Sequence, residues 1–416
     1  MTLTRLFILF FTANFFISSS LWAQVPGFYL KEDQKRVNIP FLNYNNLVIV
    51  PLSINGGPTL NFLLDTGVKS NILFSKSIGD EIGLYYTRTL NLMGADGKTV
   101  LTALVSPNNY FDVGPVEGKV QAILVLEEDF LELERVIGLP IHGIIGYEFF
   151  KYNPVRINYD TDIITFYRQD RLNWRPFGYR KIGLDFNNYK PYVKSTIHQI
   201  GGAVIHGKLL IDTGANHGLM LNRETSDEIV LPPENIETDL GRSLGGDLYG
   251  YAGRVKKYSL GNLNFRKVIT SYPDETEFSS IIIESGRLGS LGSDILSRMT
   301  LIIDYPRERM LYKKAADFHK PFEYDMSGLK IRLTSVEERR YYVSSVQEDS
   351  PASRKNFKTG DEILAINLLP VEYWDLSGIN DLLRSETERK ILFTIRRNIN
   401  GIMVELEKEI TLEKQL

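Results

Sequence analysis

Apolar and polar residues alternate in short runs along residues 40–316, and this pattern predicts strands rather than helices for most of that region. Residues 48–54 alternate between the two classes, the segment 55–58 has the composition of a turn, and residues 60–64 form a short apolar run. Apolar residues at helical spacing predict one short helix at residues 75–82. The region is therefore expected to be mainly β.

The pattern of the first half returns in the second half. The tripeptide Asp-Thr-Gly ends an apolar run at residues 65–67 and again at residues 212–214, 147 positions later. Four further pairs of segments keep the same order at nearly the same offset, namely 41–44 and 186–189, 111–114 and 258–261, 144–146 and 290–292, and 157–159 and 303–305. This is an internal duplication. Each copy is expected to be a barrel-like lobe of about 140 residues, and the helix of the second copy is predicted at residues 223–229.

The composition is that of a folded protein with more than one domain. The chain has 416 residues, of which 43% are hydrophobic and 24% are charged. Its formal net charge of −3 and the lack of a basic stripe argue against a nucleic-acid partner. With five scattered histidines and no cysteine, the sequence predicts no zinc site and no thiol nucleophile, and we expect neither a metal nor a cofactor.

The first 23 residues have the features of an export signal. Arg5 is the only charged residue among them, residues 6–21 are almost wholly apolar or small, and small residues precede the expected cleavage after Ala23. The apolar run is short for a bilayer span of ~20 residues, which favours cleavage over an uncleaved anchor. We therefore expect a mature protein that is exported to the periplasm or secreted, with no integral membrane span.

From about residue 325 the pattern mixes short helices with strands. Helices are predicted to begin at residues 350–352 and to cover residues 376–385, and strands are predicted at residues 362–367, 390–396 and 402–407. The polar segment 315–325 is interpreted as a linker. The predicted organisation is a signal peptide at residues 1–23, a first lobe at 24–170, a second lobe at 171–316 and a C-terminal domain at 325–412.

Asp65 and Asp212 are the candidate catalytic residues. A carboxylate on a tight turn after a buried strand is held rigidly, and two facing carboxylates can share one proton. The ionised partner then takes a proton from a trapped water, and the protonated partner donates to a carbonyl oxygen. Two further features support the turns: Thr66 and Thr213 can hydrogen-bond across the lobes, and Gly67 and Gly214 leave the backbone N–H free to approach the carboxylate. The alternative is that both tripeptides are plain turns at strand ends.

With these motifs, residues 35–316 resemble the pepsin/retropepsin superfamily of aspartic peptidases in its two-lobed, single-chain arrangement. The resemblance implies a pair of β-barrels related by a pseudo-twofold axis, a polypeptide substrate and no cofactor. It also implies a β-hairpin flap over the substrate, for which the candidate glycines are Gly94, Gly97, Gly245 and Gly246.

One position departs from the pattern of that superfamily. Its members usually carry Ala, Ser or Thr after Asp-Thr-Gly, and Ala215 fits, but the first copy has Val68. A β-branched apolar side chain offers no hydroxyl to Asp65 and is expected to raise the pKa of that carboxyl by desolvation.

Residues 325–412 resemble a PDZ domain. The residues that carry this resemblance are Ser350-Pro351-Ala352, the run 360–364 and Ile366-Asn367. The resemblance implies an α+β fold and a loop whose backbone N–H groups bind the C-terminal carboxylate of a peptide. The candidates for that loop are Gly328, Leu329, Lys330 and Ile331, where Lys330 replaces the expected small residue. The alternative is a domain that packs on the lobes and binds no free peptide.

Two functions of different classes are weighed. The first is a monomeric, exported aspartic endopeptidase whose PDZ domain recruits or positions the substrate. The second is a catalytically inactive, two-lobed receptor or scaffold that binds peptides. Retention of both Asp-Thr-Gly motifs favours the enzyme, and Val68 favours the receptor. The sequence contains neither a serine-protease nor a His-Glu-x-x-His signature, so those protease classes are set aside.

Overall fold

The computed structural model describes residues 25–93, 100–129, 132–243, 246–275, 279–335 and 338–416. The protein is mainly β, with two barrel-like lobes and a C-terminal α+β domain, as the sequence predicts. The predicted signal peptide lies outside the described residues. Within the described ranges, none of the helices has the length and apolar character that a membrane crossing needs.

The first lobe is built around a sheet that closes on itself. Its strands form the order β1-β9-β6-β10-β5-β4-β8-β7, β3 pairs with β4, and an extra pairing of β8 with β9 closes the barrel. Buried aliphatic and aromatic side chains of these strands fill the interior. The strands of the first repeat are β1 (Gly27–Leu30), β2 (Arg36–Pro40), β3 (Leu42–Tyr44), β4 (Leu47–Ile54), β5 (Leu60–Leu64), β6 (Asn71–Leu73), β7 (Arg88–Met93), β8 (Val100–Val113), β9 (Val116–Leu126), β10 (Gly143–Ile145), β11 (Val155–Asn158) and β12 (Ile163–Tyr167).

The second lobe repeats this architecture, which is the expected consequence of the duplication. Its sheet has the order β14-β15-β16-β21-β17-β20-β19-β18, and a pairing of β15 with β19 closes it. A separate apolar core fills it. The strands of the second repeat are β13 (Arg180–Gly183), β14 (Asp185–Asn187), β15 (Lys190–His198), β16 (Val204–Ile211), β17 (Leu219–Leu221), β18 (Asn235–Ser243), β19 (Gly246–Leu260), β20 (Leu263–Pro273), β21 (Arg287–Leu291), β22 (Met299–Asp304) and β23 (Arg309–Lys314).

A third sheet joins the two lobes. It has the order β13-β23-β22-β11-β12-β2, and the antiparallel pair β11–β22 is the seam between strands of the first and second repeats. The strands that lead into the duplicated segments 157–159 and 303–305 pair in this sheet, where Val155 lies opposite Ile303 and Ile157 opposite Leu301. The lobes are therefore tied together by backbone hydrogen bonds as well as by side chains.

The C-terminal domain has its own sheet and its own apolar core. The sheet order is β24-β25-β26-β28-β29, with β27 paired to β26, so that β24 is an edge strand. Its strands are β24 (Leu329–Ser335), β25 (Arg340–Val346), β26 (Glu362–Ile366), β27 (Leu369–Pro370), β28 (Lys390–Ile399) and β29 (Ile402–Thr411). The predicted strands are confirmed, although β28 and β29 run further than the sequence pattern indicates.

The helices are short and lie outside the barrels. The predicted helix at residues 75–82 is confirmed as α1, which begins after Ser75, whose side chain caps it by accepting from the Ile78 N–H. The prediction of a helix at residues 223–229 is wrong, because only a single 3-10 turn forms at Arg223–Thr225. The turn ends there since Ser226 takes an extended backbone with φ −165°. The helices are α1 (Lys76–Glu81), α2 (Leu133–Ile137), α3 (Ser279–Ser285), α4 (Ser293–Leu296), α5 (Pro351–Arg354) and α6 (Leu376–Leu383).

The segment interpreted as a polar linker is anchored to the second lobe. Phe318 and Phe322 are 8% and 5% exposed and belong to the core of the second barrel. A 3-10 turn at Ala316–His319 places the first of these two rings. The boundary that the sequence suggests at residue 316 remains a prediction, and these two aromatic rings indicate a later one.

Candidate active site

Each Asp-Thr-Gly turn is fixed by a strand from the later part of its own repeat. Strand β10 runs parallel to β5, and the backbone N–H of Asp65 donates to the carbonyl of Ile145 at 2.9 Å. Strand β21 runs parallel to β16 in the same way, and the N–H of Asp212 donates to the carbonyl of Leu291 at 3.0 Å. In each repeat, the strand that ends at the later glycine motif therefore holds the Asp-Thr-Gly turn in place.

The threonines join the two turns, as the sequence predicts. The hydroxyl of Thr66 donates to the carbonyl of Ile211 at 2.6 Å, and that of Thr213 donates to the carbonyl of Leu64 at 2.7 Å. Each hydroxyl also accepts the backbone N–H of the other threonine, at 3.1 and 3.2 Å. Both side chains are buried, so these bonds are shielded from water. The arrangement is symmetric and fixes one turn relative to the other.

The two carboxylates converge over the glycines of these turns. The N–H of Gly67 donates to Asp65 Oδ1 at 2.6 Å, and the N–H of Gly214 donates to Asp212 Oδ1 at 3.1 Å. A Cβ atom on Gly67 would lie 3.0 Å from Asp65 Oδ1 and 3.5 Å from Asp212 Oδ1. On Gly214 it would lie 2.4 Å from Asp65 Oδ2. Any side chain at Gly214 would therefore displace the carboxylate of the opposite lobe.

The environments of the two aspartates differ. Burial, followed by the charge of Asp212, raises the pKa of Asp65, and the N–H of Gly67 opposes the shift. Burial also raises the pKa of Asp212, but Arg287 and the N–H groups of Gly214 and Ala215 stabilise its ionised form. When the pair shares one proton, this asymmetry favours the proton on Asp65 and the negative charge on Asp212.

Val68 contributes backbone and apolar contacts but no polar side chain. Its carbonyl accepts from the N–H of Tyr147 at 2.9 Å, and its side chain packs against an apolar cluster of the first lobe. The corresponding Ala215 accepts from the N–H of Ser293 at 2.7 Å, and its own N–H stabilises Asp212. Asp212 is thus stabilised in its ionised form by one more backbone N–H than Asp65, which adds to the difference between the pKa values of the two aspartates.

Sequence reasoning missed two cations that lie near the pair. Lys190 interacts electrostatically with both Asp65 and Asp212, and Arg287 interacts with Asp212. The sequence offset of 146 between the glycine motifs places Arg287 at the position of Ile141, but only the strand registers relate Lys190 to Leu47.

A half-buried histidine also supports the second turn. His217 Nε2 and Ser290 Oγ lie 2.9 Å apart, and the backbone carbonyl of His217 accepts from the N–H of Asp294 at 3.3 Å. Burial lowers the pKa of His217 to about 4, so that this side chain is neutral at neutral pH. Its role in the site is to hold the turn rather than to carry charge.

Of the four flap candidates, Gly246 belongs to the part of the chain that the structure describes. Strands β7 and β8 pair up to Met93 and Val100, and strands β18 and β19 pair up to Ser243 and Gly246. Gly246 is thus the first residue of β19. The other three candidates, Gly94, Gly97 and Gly245, lie outside the described residues. Both hairpins follow the Asp-Thr-Gly turn of their own repeat.

The candidate carboxylate-binding loop contacts a carboxylate of its own chain. Asp325 accepts from the N–H groups of Ser327 and Gly328 at 3.0 and 2.6 Å, and Gly328 has φ +77°, in the left-handed region. Burial raises the pKa of Asp325 to about 6. The side chains of Leu329 and Ile331 point into the core of the C-terminal domain.

The edge strand of the C-terminal domain is linked to both lobes. Lys330 Nζ lies 3.1 Å and an Arg332 Nη atom 2.8 Å from Asp239 Oδ2, on strand β18 of the second lobe. Helix α2 of the first lobe packs against β24. Gly138, which ends α2, approaches Leu376 of α6 so closely that a Cβ there would lie 2.8 Å from the Leu376 Cβ. The domain is therefore docked on the lobes along β24.

Comparison with known families agrees with this architecture. The model of the aspartyl protease family matches residues 50–149 and again residues 197–295. The model of the PDZ domain matches residues 342–397. A comparison with curated proteins found no match. The two protease matches each contain one Asp-Thr-Gly turn and the later glycine motif that supports it.

Proposed function

We propose that this chain, which carries two aspartyl-protease repeats followed by a PDZ domain, is an aspartic endopeptidase with Asp65 and Asp212 as its catalytic pair. The observation that supports this most strongly is the convergence of the two carboxylates above turns that Thr66 and Thr213 join reciprocally. A receptor with no reaction to perform would need neither two facing carboxylates nor the burial that raises the pKa of both.

In the proposed reaction the two aspartates act in turn as base and acid. Asp212, ionised, takes a proton from a water held between the carboxylates, and the water oxygen forms a bond to the scissile carbonyl carbon. Asp65, protonated, donates to the carbonyl oxygen, which gives a tetrahedral diol. When the diol collapses, the C–N bond breaks, Asp212 returns its proton to the leaving nitrogen, and a hydroxyl proton of the diol returns to Asp65.

The proposed location of the protein and the proposed role of its PDZ domain are supported by the sequence and the domain composition. The N-terminal segment supports export to the periplasm or secretion, and the PDZ domain supports recruitment or positioning of a polypeptide substrate. We propose that the protein acts as a monomer. The contacts of β24 with both lobes place the PDZ domain next to the hairpin β18–β19, where it can influence how substrate enters.

The deciding experiment is cleavage of a diverse peptide library by the mature protein, from about pH 3 to 8, with and without a statine-type inhibitor. Inhibitor-sensitive cleavage that disappears in Asp65→Asn and persists in Asp227→Asn supports the peptidase, since Asp227 is an exposed aspartate of the second lobe. Tight binding of peptides without cleavage at any pH supports the alternative, an inactive peptide receptor, for which Val68 is the motivating feature.

A further inference from the structure

The two repeats differ in charge at one position beside the catalytic pair. In the second lobe, β15 and β16 pair antiparallel with Tyr192 opposite Leu210. Two further steps of this register would bring Lys190 beside Asp212, with which it interacts electrostatically. In the first lobe, β4 and β5 pair with Ile49 opposite Leu63, and the same step brings Leu47 opposite Asp65. The duplicated position is therefore apolar in one lobe and cationic in the other.

A second position differs in the same way. Arg287 precedes Leu291 by four residues on the strand that holds Asp212, and Ile141 precedes Ile145 by four residues on the strand that holds Asp65. In the first lobe, Leu47 and Ile141 are 4% and 5% exposed and belong to one apolar cluster. The register of β21 shifts by one residue between Arg287 and Gly289, so the comparison with Ile141 is one of sequence position. The second lobe thus carries two cations at positions whose counterparts in the first lobe are apolar and buried.

These two cations, which we call the cationic pair, have no acidic side chain of their own. Within the described part of the chain, neither Lys190 nor Arg287 forms an ion pair, and the Nε of Arg287 is buried without a hydrogen-bond partner. Burial and the charge of Arg287 lower the pKa of Lys190, while Asp65 and Asp212 oppose that shift. When the catalytic pair shares one proton it carries a single negative charge, which leaves the cationic pair with an excess of positive charge.

We propose that Lys190 and Arg287 form a carboxylate-binding subsite in the second-lobe half of the cleft, which selects polypeptide substrates with an Asp or Glu side chain close to the scissile bond. This inference rests on the proposed function. A substrate carboxylate would match the planar donors of the Arg287 guanidinium and the charge of the Lys190 ammonium group. The equivalent residues of the first lobe, Leu47 and Ile141, are buried in an apolar cluster and offer no charge to a substrate.

The experiment compares matched peptide libraries whose ends are acetylated and amidated. The libraries are randomised except for one fixed position near the centre, which is either Glu or its neutral isostere Gln, and cleavage is quantified by mass spectrometry at about pH 5.5, where Glu is ionised. For at least one fixed position, we expect kcat/KM to favour Glu over Gln by about tenfold. A parallel library with free C-termini distinguishes side-chain recognition from capture of a terminal carboxylate: a preference that appears only with free ends overturns the proposal.

The roles of the two cations are tested by substitutions that replace each one with the corresponding residue of the first repeat. Lys190→Leu and Arg287→Ile copy Leu47 and Ile141, and each is expected to bring the Glu-to-Gln ratio close to one, whereas the conservative Lys190→Arg retains the preference. The control is Lys256→Met, because Lys256 is exposed on β19 near the end of β15 that lies opposite to Lys190. If the variants shift the pH profile equally for both libraries and leave the ratio unchanged, the cations only tune the catalytic pair and the subsite is refuted.

A binding measurement separates this inference from the proposed function. The affinities of fluorescent Glu and Gln libraries are compared on Asp65→Asn, which retains Lys190 and Arg287 but is not expected to turn over substrate. A preference for Glu in binding, together with a complete lack of cleavage by the unmodified protein, would refute the peptidase and support the subsite. Equal affinities, with cleavage of both libraries at equal rates, would support the peptidase and refute the subsite.

Discussion

Thr66 and Thr213 lie back to back across the two lobes, and each hydroxyl accepts the backbone N–H of the other threonine while it donates to a carbonyl of the opposite lobe. Four hydrogen bonds therefore link the two turns within a few residues of Asp65 and Asp212. Because all four depend on the same two hydroxyls, the geometry of the carboxylates depends on both threonines at once.

Removal of either hydroxyl is expected to cost both stability and activity. Thr66→Val or Thr213→Val leaves a buried N–H and a buried carbonyl without their partner, which should lower the free energy of unfolding by about 1–3 kcal/mol. Urea denaturation and kcat measure the two effects. Thr87→Val is the control, since its hydroxyl donates only to the Val105 carbonyl within the first lobe. An unchanged kcat in both threonine variants would show that the turns do not need this link.

Neutralisation of one catalytic aspartate is expected to stabilise the protein at neutral pH. The pKa of Asp65 is raised from 3.8 to about 8, so the folded state binds more protons than the unfolded state between about pH 4 and about pH 8. Stability from this group is fully present at low pH and falls as the pH rises. Asp65→Asn removes the penalty and should add about 1–3 kcal/mol near pH 7 while turnover is lost.

Thermal unfolding at two pH values checks this expectation. The gain in Tm of Asp65→Asn over the unmodified protein should be present at pH 7 and close to zero at about pH 3. At that pH the Asp65 side chain of the unmodified protein is mostly protonated, and is therefore as neutral as asparagine. A gain of the same size at both pH values would mean that it comes from packing or hydrogen bonding and not from the ionisation of Asp65.

Removal of the ion pairs that join the PDZ domain to the second lobe is expected to weaken the contact between the two domains. Asp239 is 15% exposed at its side chain and interacts with both Lys330 and Arg332, so Asp239→Asn should lower stability by about 1 kcal/mol and speed hydrogen exchange in β18 and β24. The control is Glu409→Gln, because the pair of Glu409 with Lys390 is largely exposed and should contribute little. Unchanged hydrogen exchange of β18 and β24 in Asp239→Asn would show that these ion pairs do not stabilise the contact between the domains.

The position of a C-terminal truncation should decide whether the two lobes remain stable. Phe318 and Phe322 fill the core of the second barrel, so a chain that ends at residue 316 loses both rings, and one that ends at residue 324 keeps them. Loss of a buried phenylalanine costs about 3–5 kcal/mol. Chemical denaturation of the two truncated proteins should show a clear difference in favour of the longer one. Equal stabilities would place the boundary where the sequence pattern suggests it.

The sequence alone determined the duplication, the mainly β class and the identity of the catalytic candidates. These inferences depend on local order: Asp65 and Asp212 each follow an apolar run, and each is followed at nearly one offset by the glycine motif that holds it. A strand period of two and a tight turn are encoded within about ten residues, so no knowledge of distant contacts is required.

Local patterns misled the sequence reasoning in two places. The residues 223–229 have helix-compatible spacing, yet tertiary contacts leave only a single turn at Arg223–Thr225. The polar appearance of the segment 315–325 concealed Phe318 and Phe322, whose burial depends on the space that the second barrel provides. In both cases the packing of the lobe decided the structure, because burial in a core outweighs weak local propensity.

The charge of the cleft and the docking of the PDZ domain were decided only by the tertiary structure. Lys190 and Arg287 are nearly one hundred positions apart in sequence, and only the register of β15 and the parallel pairing of β21 bring both to Asp212. Lys330 and Arg332 meet Asp239 for a similar reason, since an edge strand of one domain lies against a hairpin of another. Contacts of this kind depend on shape and register across the whole fold, whereas the motifs that identify Asp65 and Asp212 as catalytic candidates depend on a few neighbouring residues.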